Sequence, residues 1–400
     1  MKKYFAWSVL ILILAGAFFL SVFFFKDRAT LLIRGGRLID GTGRPPVENT
    51  TLLIRGGRLV RISSGEDIKK PFRARTLDAR GKTIIPGLID MHVHLIDPSL
   101  CPLFLYHGIT AVRDMGNNLN FIIGLRDRIE KGEIEGPTIF ASGYLINDRK
   151  IPYGAGEYTA VVKTPAQARR AVAVMARRKA DWIKVYITLP QKLLREVLIE
   201  AAKFRLPVAG HLRRVDAEKA ASWGIKTLEH ATGIAEALLG DKIFQDVPPS
   251  WTISPLVWPR ADREKFDALA ELLVDRGVAV IPNLTLYHSF CLSPEELQAR
   301  GHTELMPDDF KKGWLNYTHR KFPDIARYHQ EWIITKTRLE EFLRLFHDKG
   351  GIMLAGTDTP WPYLVPGISL HEELELLVAA GLSPMEAILS ATLRPAEILG

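Results

Sequence analysis

The chain opens on an apolar stretch: Tyr4 to Phe25 is 22 residues without a charge, set between Lys2-Lys3 and Lys26-Asp27-Arg28. A helix of that length spans a hydrocarbon core at 1.5 Å per residue. The rival is a cleavable signal peptide, whose apolar region is shorter and ends in an A-x-A-like site. Phe23-Phe24-Phe25 runs straight into charge, and no cysteine lies near it for lipid attachment. An uncleaved single-pass anchor over residues 1–28 is expected. The two leading lysines favour N-inside, with the rest of the chain outside the cytoplasm.

The pattern from Thr30 to Thr83 predicts short strands. Leu31-Leu32-Ile33-Arg34-Gly35-Gly36-Arg37-Leu38 recurs as Leu52-Leu53-Ile54-Arg55-Gly56-Gly57-Arg58-Leu59. Each copy reads as strand, Gly-Gly turn and strand, which is a hairpin signature. Residues 29–83 are therefore expected to form a small β-sandwich layer.

From Ile84 onward, apolar runs alternate with helical patterns. Strands are expected at 84–90, 109–114, 138–142, 181–187, 206–210, 225–229, 277–282 and 352–357. Helices are expected at 119–131, 165–179, 190–204, 215–223, 263–276, 370–380 and 384–399. Pro165 near the start of its helix is in character. Such βα repetition over 84–400 argues for an α/β fold, a (βα)8 TIM barrel. The connection before the last strand is too long for a plain loop and reads as functional. At a barrel mouth it would be a lid, with Tyr287, His288, Trp314 and Tyr317 facing a substrate.

Composition is that of a globular protein, 47% hydrophobic and 24% charged. Cys101 and Cys291 stand far apart, which gives no disulfide framework and no cysteine-based metal site. The net charge of +8 is concentrated early: Lys26 to Lys82 holds 14 basic against 6 acidic residues. That segment lacks the interleaved aromatics of a nucleic-acid surface. It either faces anionic headgroups beside the anchor or is a solvated arginine-rich face.

The candidate chemistry lies at strand ends. His92 and His94 follow an apolar run and, two apart in a strand, face the same way. His211 closes 206–210, His230 closes 225–229, and Asp358 closes 352–357. Barrel active sites sit at that end of the strands, and packing explains this group poorly. Lys184 lies mid-strand in Asp181-Trp182-Ile183-Lys184-Val185-Tyr186. A lysine pointing into a barrel is costly unless paired or altered. Buried, its pKa falls, and a neutral amine can take up CO₂ as a carbamate whose two oxygens bridge two metals.

Ile85-Pro86-Gly87-Leu88-Ile89-Asp90-Met91-His92-Val93-His94 closely resembles the signature of the amidohydrolase superfamily. Val112-Arg113-Asp114-Met115-Gly116, Leu228-Glu229-His230, Gly356-Thr357-Asp358 and His371-Glu372-Glu373-Leu374 are similar to its imidazolonepropionase-like and Xaa-Pro dipeptidase-like branch. The resemblance covers residues 31–400. It implies two divalent metal ions, with zinc expected. His92, His94 and Asp358 would bind the more buried ion and His211 and His230 the more exposed one, with carboxylated Lys184 between. It further implies a bridging hydroxide as nucleophile, and Asp358 as the group that carries its proton to the leaving amine.

The single-metal deaminases of the same superfamily place a glutamate just after the fifth-strand histidine. Here Leu212-Arg213-Arg214 follows His211, which favours two metals. Tyr186, one pleat beyond Lys184, is a candidate to hydrogen-bond an oxyanion or a carboxylate. Arg213 either clamps a substrate carboxylate or pairs with Asp216 or another acid. His371 is read as capping structure rather than binding metal. Relatives continue past the position of Gly400 with strands that complete the β-layer, so either the sequence is a fragment of a longer chain or that layer is expected to be incomplete. The expected function is a membrane-anchored binuclear hydrolase of amide, dipeptide or cyclic-amide C–N bonds. A lactonase or esterase using the same site, and a catalytically inactive anchored binding protein, are the alternatives.

Overall fold

A computed structural model describes residues 30–65, 67–151, 158–240, 254–320, 323 and 326–400. The expected anchor, Tyr4 to Phe25, lies outside the described residues. No helix among the described residues is long and apolar enough to cross a membrane. The chain divides into two compact units, one ending at Pro86 and one running from Gly87 to Gly400.

The first unit is a mixed sheet. Its strands are β1 (Thr30–Leu38), β2 (Val47–Arg55), β3 (Arg58–Ser64), β4 (Arg75–Asp78) and β5 (Thr83–Ile84). The order is β3-β2-β1-β4, with β5 also on β1. β2 is antiparallel to β1 and β3, while β4 and β5 run parallel to β1. The second Gly-Gly pair makes the expected hairpin: Gly56 and Gly57 both have positive φ and join β2 to β3, as a type I′ turn requires. The first pair does not. β1 runs through Gly35-Gly36 as one strand with shifts in its register against β2. It is the central strand, and its second edge is taken by β4 and β5. A Cβ on Gly35 would lie 2.5 Å from Arg80 Cγ, so the glycine serves a bulge instead of a turn.

The second unit is built from parallel strands. β6 (Leu88–Val93), β7 (Ile109–Asp114) and β8 (Thr138–Ala141) form one sheet. A second has the order β10-β9-β11-β12-β13-β14, comprising β9 (Leu145–Asn147), β10 (Thr159–Val161), β11 (Ile183–Val185), β12 (Val208–Gly210), β13 (Thr227–Glu229) and β14 (Ala279–Ile281). Single hydrogen bonds link the sheets: Asp181 N and Trp182 N donate to Ala141 O at 2.8 and 3.3 Å. The expected last strand, 352–357, pairs too sparsely to count as one. It still lies between β14 and β6, with Leu354 N on Val280 O at 3.0 Å and Met91 N on Ala355 O at 2.9 Å. Gly356 permits this approach, since a Cβ there would stand 3.0 Å from both Cβ and N of His92.

Helices follow the strands for local reasons. Pro165–Arg177 starts on a full capping box, Thr164 with Gln167, and buries Ala168, Val172 and Met175 along one stripe. Leu119–Glu130 is capped by Asn118, whose side chain accepts from Asn120 N and Phe121 N. The expected helix 384–399 is two, Pro384–Ser390 and Leu393–Leu399. The chain leaves helical geometry at Thr392, φ −136° and ψ −86°. Ile398 and Leu399 then pack on the small clusters around Met91 and Trp182. The long connection after β14 is largely helical, with Leu284–Phe290, Pro294–Gln298, Asp308–Arg320 and the 20-residue helix His329–Asp348.

Candidate metal centre

The ends of β6, β11, β12 and β13 and the segment before Asp358 converge on one cavity. His92 Nε2 and His94 Nε2 stand 3.4 and 3.2 Å from Asp358 Oδ1. One ligand atom from each of these residues lies within 4.8 Å of the others, an arrangement that can hold a metal ion. The ring of His230 lies 4.5 Å from that of His92 and 4.6 Å from that of His211. Tyr186 stacks edge-on against His211 at 4.9 Å. Lys184, flanked in β11 by Ile183 and Val185 of the main core, turns to the opposite face and lines the same cavity.

The test of a metal at this place is whether the donor atoms are otherwise used. Both nitrogens facing away from Asp358 have partners: His92 Nδ1 is 2.5 Å from Glu229 Oε2, and His94 Nδ1 is 2.9 Å from Gly116 O. Their Nε2 atoms are thereby left to face the cluster. Lys184 Nζ, His211 Nε2 and His230 Nδ1 are buried and have no hydrogen-bond partner among the described residues. Buried polar atoms without partners cost about 1–3 kcal/mol each. Three of them converging beside a carboxylate fit divalent cations.

Electrostatics agree. Burial, and then the charges of Lys184, His94 and Arg113, hold His92 neutral, well below the usual imidazole range. Burial does the same for His211, followed by the charge of His230. It also lowers His230, against the pull of Asp358. Neutral imidazoles are the form that ligates. Burial works against the Asp358 carboxylate, but the electrostatic pull of the cationic form of His230 and the hydrogen bond from His94 outweigh it and lower its pKa. His94 is the exception: burial opposes its protonation, but its hydrogen bond to Asp358 outweighs burial and raises its pKa, so an ion bound there displaces a proton from that pair. Lys184 falls from 10.5 to about 8, chiefly by burial.

Two ligand candidates, His230 and Asp358, and two residues beside them sit on strained backbone. His230, Ala231 and Asp358 have φ of 55°, 48° and 64°, and Asn283 has 52°. Non-glycine residues in the left-handed region cost about 1–3 kcal/mol each. Packing holds them there: His230 N donates to Asn283 Oδ1 at 3.3 Å, and Tyr287 Oη donates to His230 O at 2.8 Å. Asp90 accepts from Thr357 Oγ1 at 2.7 Å and from His92 N at 3.1 Å, tying the two ligand-bearing segments together.

The cavity has a volume of about 310 Å³. Above the polar floor its wall is apolar, with Leu286 and Phe290 from one helix of the long connection, Trp332 from another, and Pro360-Trp361-Pro362 after Asp358. Of the four lid candidates read from sequence, Tyr287 lines it. Trp314 packs on Tyr363 at 5.4 Å, Tyr317 lies 5.9 Å from Trp361, and His288 is not among the lining residues. Phe290 and Trp332 escaped the sequence reading. Arg213 lines the cavity with Nη1 on Glu236 Oε1 at 2.7 Å, both side chains buried, while Asp216 pairs with Lys219. His371 Nε2 lies 2.9 Å from His107 O, within helix Ile368–Ala379.

Comparison with known proteins points one way. The sequence model of the amidohydrolase family matches residues 83–400. A dihydroorotase of Trichlorobacter lovleyi is 44% identical over 70 residues, 18% of this chain and 16% of that enzyme. One from Geobacter metallireducens is 44% identical over 68 residues, 17% of this chain and 15% of that enzyme. The chain thus matches about a sixth of the length of these curated relatives. Its fold is similar to that of a Xaa-Pro dipeptidase with bound methionine (TM-score 0.66, 22% identity, 93% of this chain and 89% of that one). It is also similar to A. niger ochratoxinase (0.66, 20%, 94% and 85%) and to a bottromycin amidohydrolase (0.68, 20%, 94% and 79%).

Proposed function

This chain belongs to the amidohydrolase family, hydrolases of C–N bonds, and on that premise we propose that it hydrolyses an amide or dipeptide bond at a binuclear zinc site. The observation that carries the reading is the convergence of unpartnered Lys184 Nζ, His211 Nε2 and His230 Nδ1 on the cluster of His92, His94 and Asp358. His92, His94 and Asp358 would hold one ion and His211 and His230 the other. Lys184, as its carbamate, would lie between them. When bound, such ions supply Lewis acidity and bring the pKa of water to about 7.

The chain's own groups do the rest. Asp358 takes a proton from the attacking water and delivers it to the leaving nitrogen. Tyr186, beside His211, donates to the carbonyl oxygen as that oxygen gains charge. Arg213, engaged by Glu236, holds the rim next to His211, so the carboxylate clamp is the weaker use of it. The aromatic wall of Phe290, Trp332 and Trp361 excludes water and receives an uncharged apolar group.

Hydrogen bonds that pass from β8 to β11 and from β14 through 352–358 to β6 support reading the parallel strands as one (βα)8 barrel. The apolar run Tyr4 to Phe25 supports a single-pass anchor, and Lys2-Lys3 ahead of it favour the barrel outside the cytoplasm. The test is a screen of zinc-loaded, bicarbonate-equilibrated protein against dipeptides, N-acyl amino acids and matched lactones. Turnover of an amide that chelator abolishes is expected. Lactone-only turnover would replace the amide reading, and metal-loaded protein inert to all three classes would overturn it.

A further inference from the structure

Beneath His92 lies a polar cluster that contributes no side chain to the cavity wall. Glu229 Oε2 stands 2.5 Å from His92 Nδ1. Arg113 Nη2 donates to both Glu229 oxygens, at 2.8 and 3.0 Å, and Thr227 Oγ1 donates to Oε1 at 2.6 Å. Arg113 is itself fixed: Nε donates to Met91 O at 2.7 Å, Nη1 reaches Thr227 Oγ1 at 3.3 Å, and the guanidinium lies 4.5 Å from the centre of the Trp182 ring. Glu229 and Arg113 are wholly buried.

An ion pair in such a place gives little net stability, because desolvation offsets the attraction. An apolar pair would fill the space at similar or lower free energy. The geometry has another use. A carboxylate against Nδ1 makes that nitrogen the donor, so the ring proton sits on Nδ1 and the lone pair on Nε2. His92 Nε2 is the atom that faces Asp358. His94 reaches the same tautomer by a cheaper route, with Nδ1 on the carbonyl of Gly116. His92 alone of the two has an ionised acceptor, which raises the basicity of its ring as well as fixing its direction.

We infer that Glu229 is a positioning residue for metal uptake, clamped by Arg113, which holds His92 as the Nδ1–H tautomer with Nε2 presented to the cluster of His94 and Asp358. The inference rests on the metal-site reading above. Arg113 reaches both carboxylate oxygens through Nη2 while Nε and Nη1 are anchored on Met91 O and Thr227 Oγ1, a set of fixed donors that a lysine in its place would not supply.

The experiment is zinc affinity of the full chain, by competition with a chromophoric chelator. Glu229→Gln keeps the shape and removes the charge. It is expected to bind zinc about 10–100-fold more weakly while keeping the wild-type near-ultraviolet dichroism. Affinity within about threefold of wild type would overturn the inference. The double variant Arg113→Met/Glu229→Gln separates positioning from mere neutralisation. If Glu229 served only to balance Arg113, removing both charges would restore wild-type affinity, and that result would also overturn it.

Should these variants fail to fold, the wild-type chain decides. In zinc-loaded protein with 15N-labelled histidine, the His92 ring, assigned against His92→Asn, is expected to carry its proton on Nδ1. Zinc on Nδ1, or a proton on Nε2, would refute the assignment. A wild-type chain that takes up no zinc sinks the metal-site reading together with this inference. A wild type that binds zinc no tighter than Glu229→Gln sinks this inference alone.

Discussion

Lys184→Met should make the metal-free protein more stable. The Lys184 side chain is 1% exposed, and its amine has no hydrogen-bond partner among the described residues. Burial lowers its pKa from 10.5 to about 8. That fall corresponds to a penalty of about 3 kcal/mol on the ammonium. The unfolded chain keeps the proton up to about pH 10.5 and the folded chain only up to about pH 8. Between these values the unfolded state binds more protons, so stability rises with pH across that window. Below pH 8 the whole penalty stands. Methionine has similar length, no charge and no donor, so it removes the penalty. Urea unfolding in chelator at pH 7, followed by tryptophan fluorescence, should show Lys184→Met more stable by about 1–3 kcal/mol. The advantage should shrink as pH passes from 8 towards 10.5. With zinc and bicarbonate the order should reverse, because ligand binding stabilises the wild type and has less to hold in the variant. A variant no more stable than wild type in chelator at pH 7 would refute the picture of Lys184 as a costly amine kept for a ligand.

Asp358→Asn, assayed at saturating zinc, is expected to lose about 10²–10⁴-fold in turnover, measured as kcat on the best amide; full activity would remove Asp358 from proton transfer. Trp332→Ala opens the apolar wall, so KM for substrates with bulky uncharged groups should rise while small substrates are little affected, and stability should drop by about 3–5 kcal/mol. Arg213→Met strands the buried Glu236 carboxylate and should cost about 3–5 kcal/mol by urea denaturation, and Arg213→Met/Glu236→Gln should recover most of it. Recovery that fails would mean Arg213 stabilises something other than that pair.

The histidines and Asp358 were legible because their signal is local. Each follows a short apolar run, and a polar residue capping such a run on a parallel strand has few structural uses. Lys184 was legible for the same reason, as a charge inside a buried strand. Glu229 and Arg113 stand in quotable motifs, yet their partnership was not. Their hydrogen bonds, to each other and to His92, span 116 and 137 positions of sequence and exist only once the fold brings β6, β7 and β13 together. The wall residues Phe290 and Trp332 were missed because the connection after β14 was read as a loop, and it is mostly helix. The first Gly-Gly repeat misled for a related reason. Sequence fixes that glycine frees the backbone there, while the neighbours β4 and β5 decide whether the freedom becomes a turn or a bulge. Similarly, 384–399 is helical in pattern throughout, and the break at Thr392 follows from the way Ile398 and Leu399 turn to pack on the clusters around Met91 and Trp182.

The central claim is that five side chains and Lys184 form one site for two ions. Its most direct test is metal content by mass spectrometry of full-length protein, saturated with zinc and bicarbonate and then freed of excess metal. The account predicts close to two ions per chain for wild type and close to one for His211→Asn. About one ion or fewer per wild-type chain, or an unchanged content in His211→Asn, would contradict it.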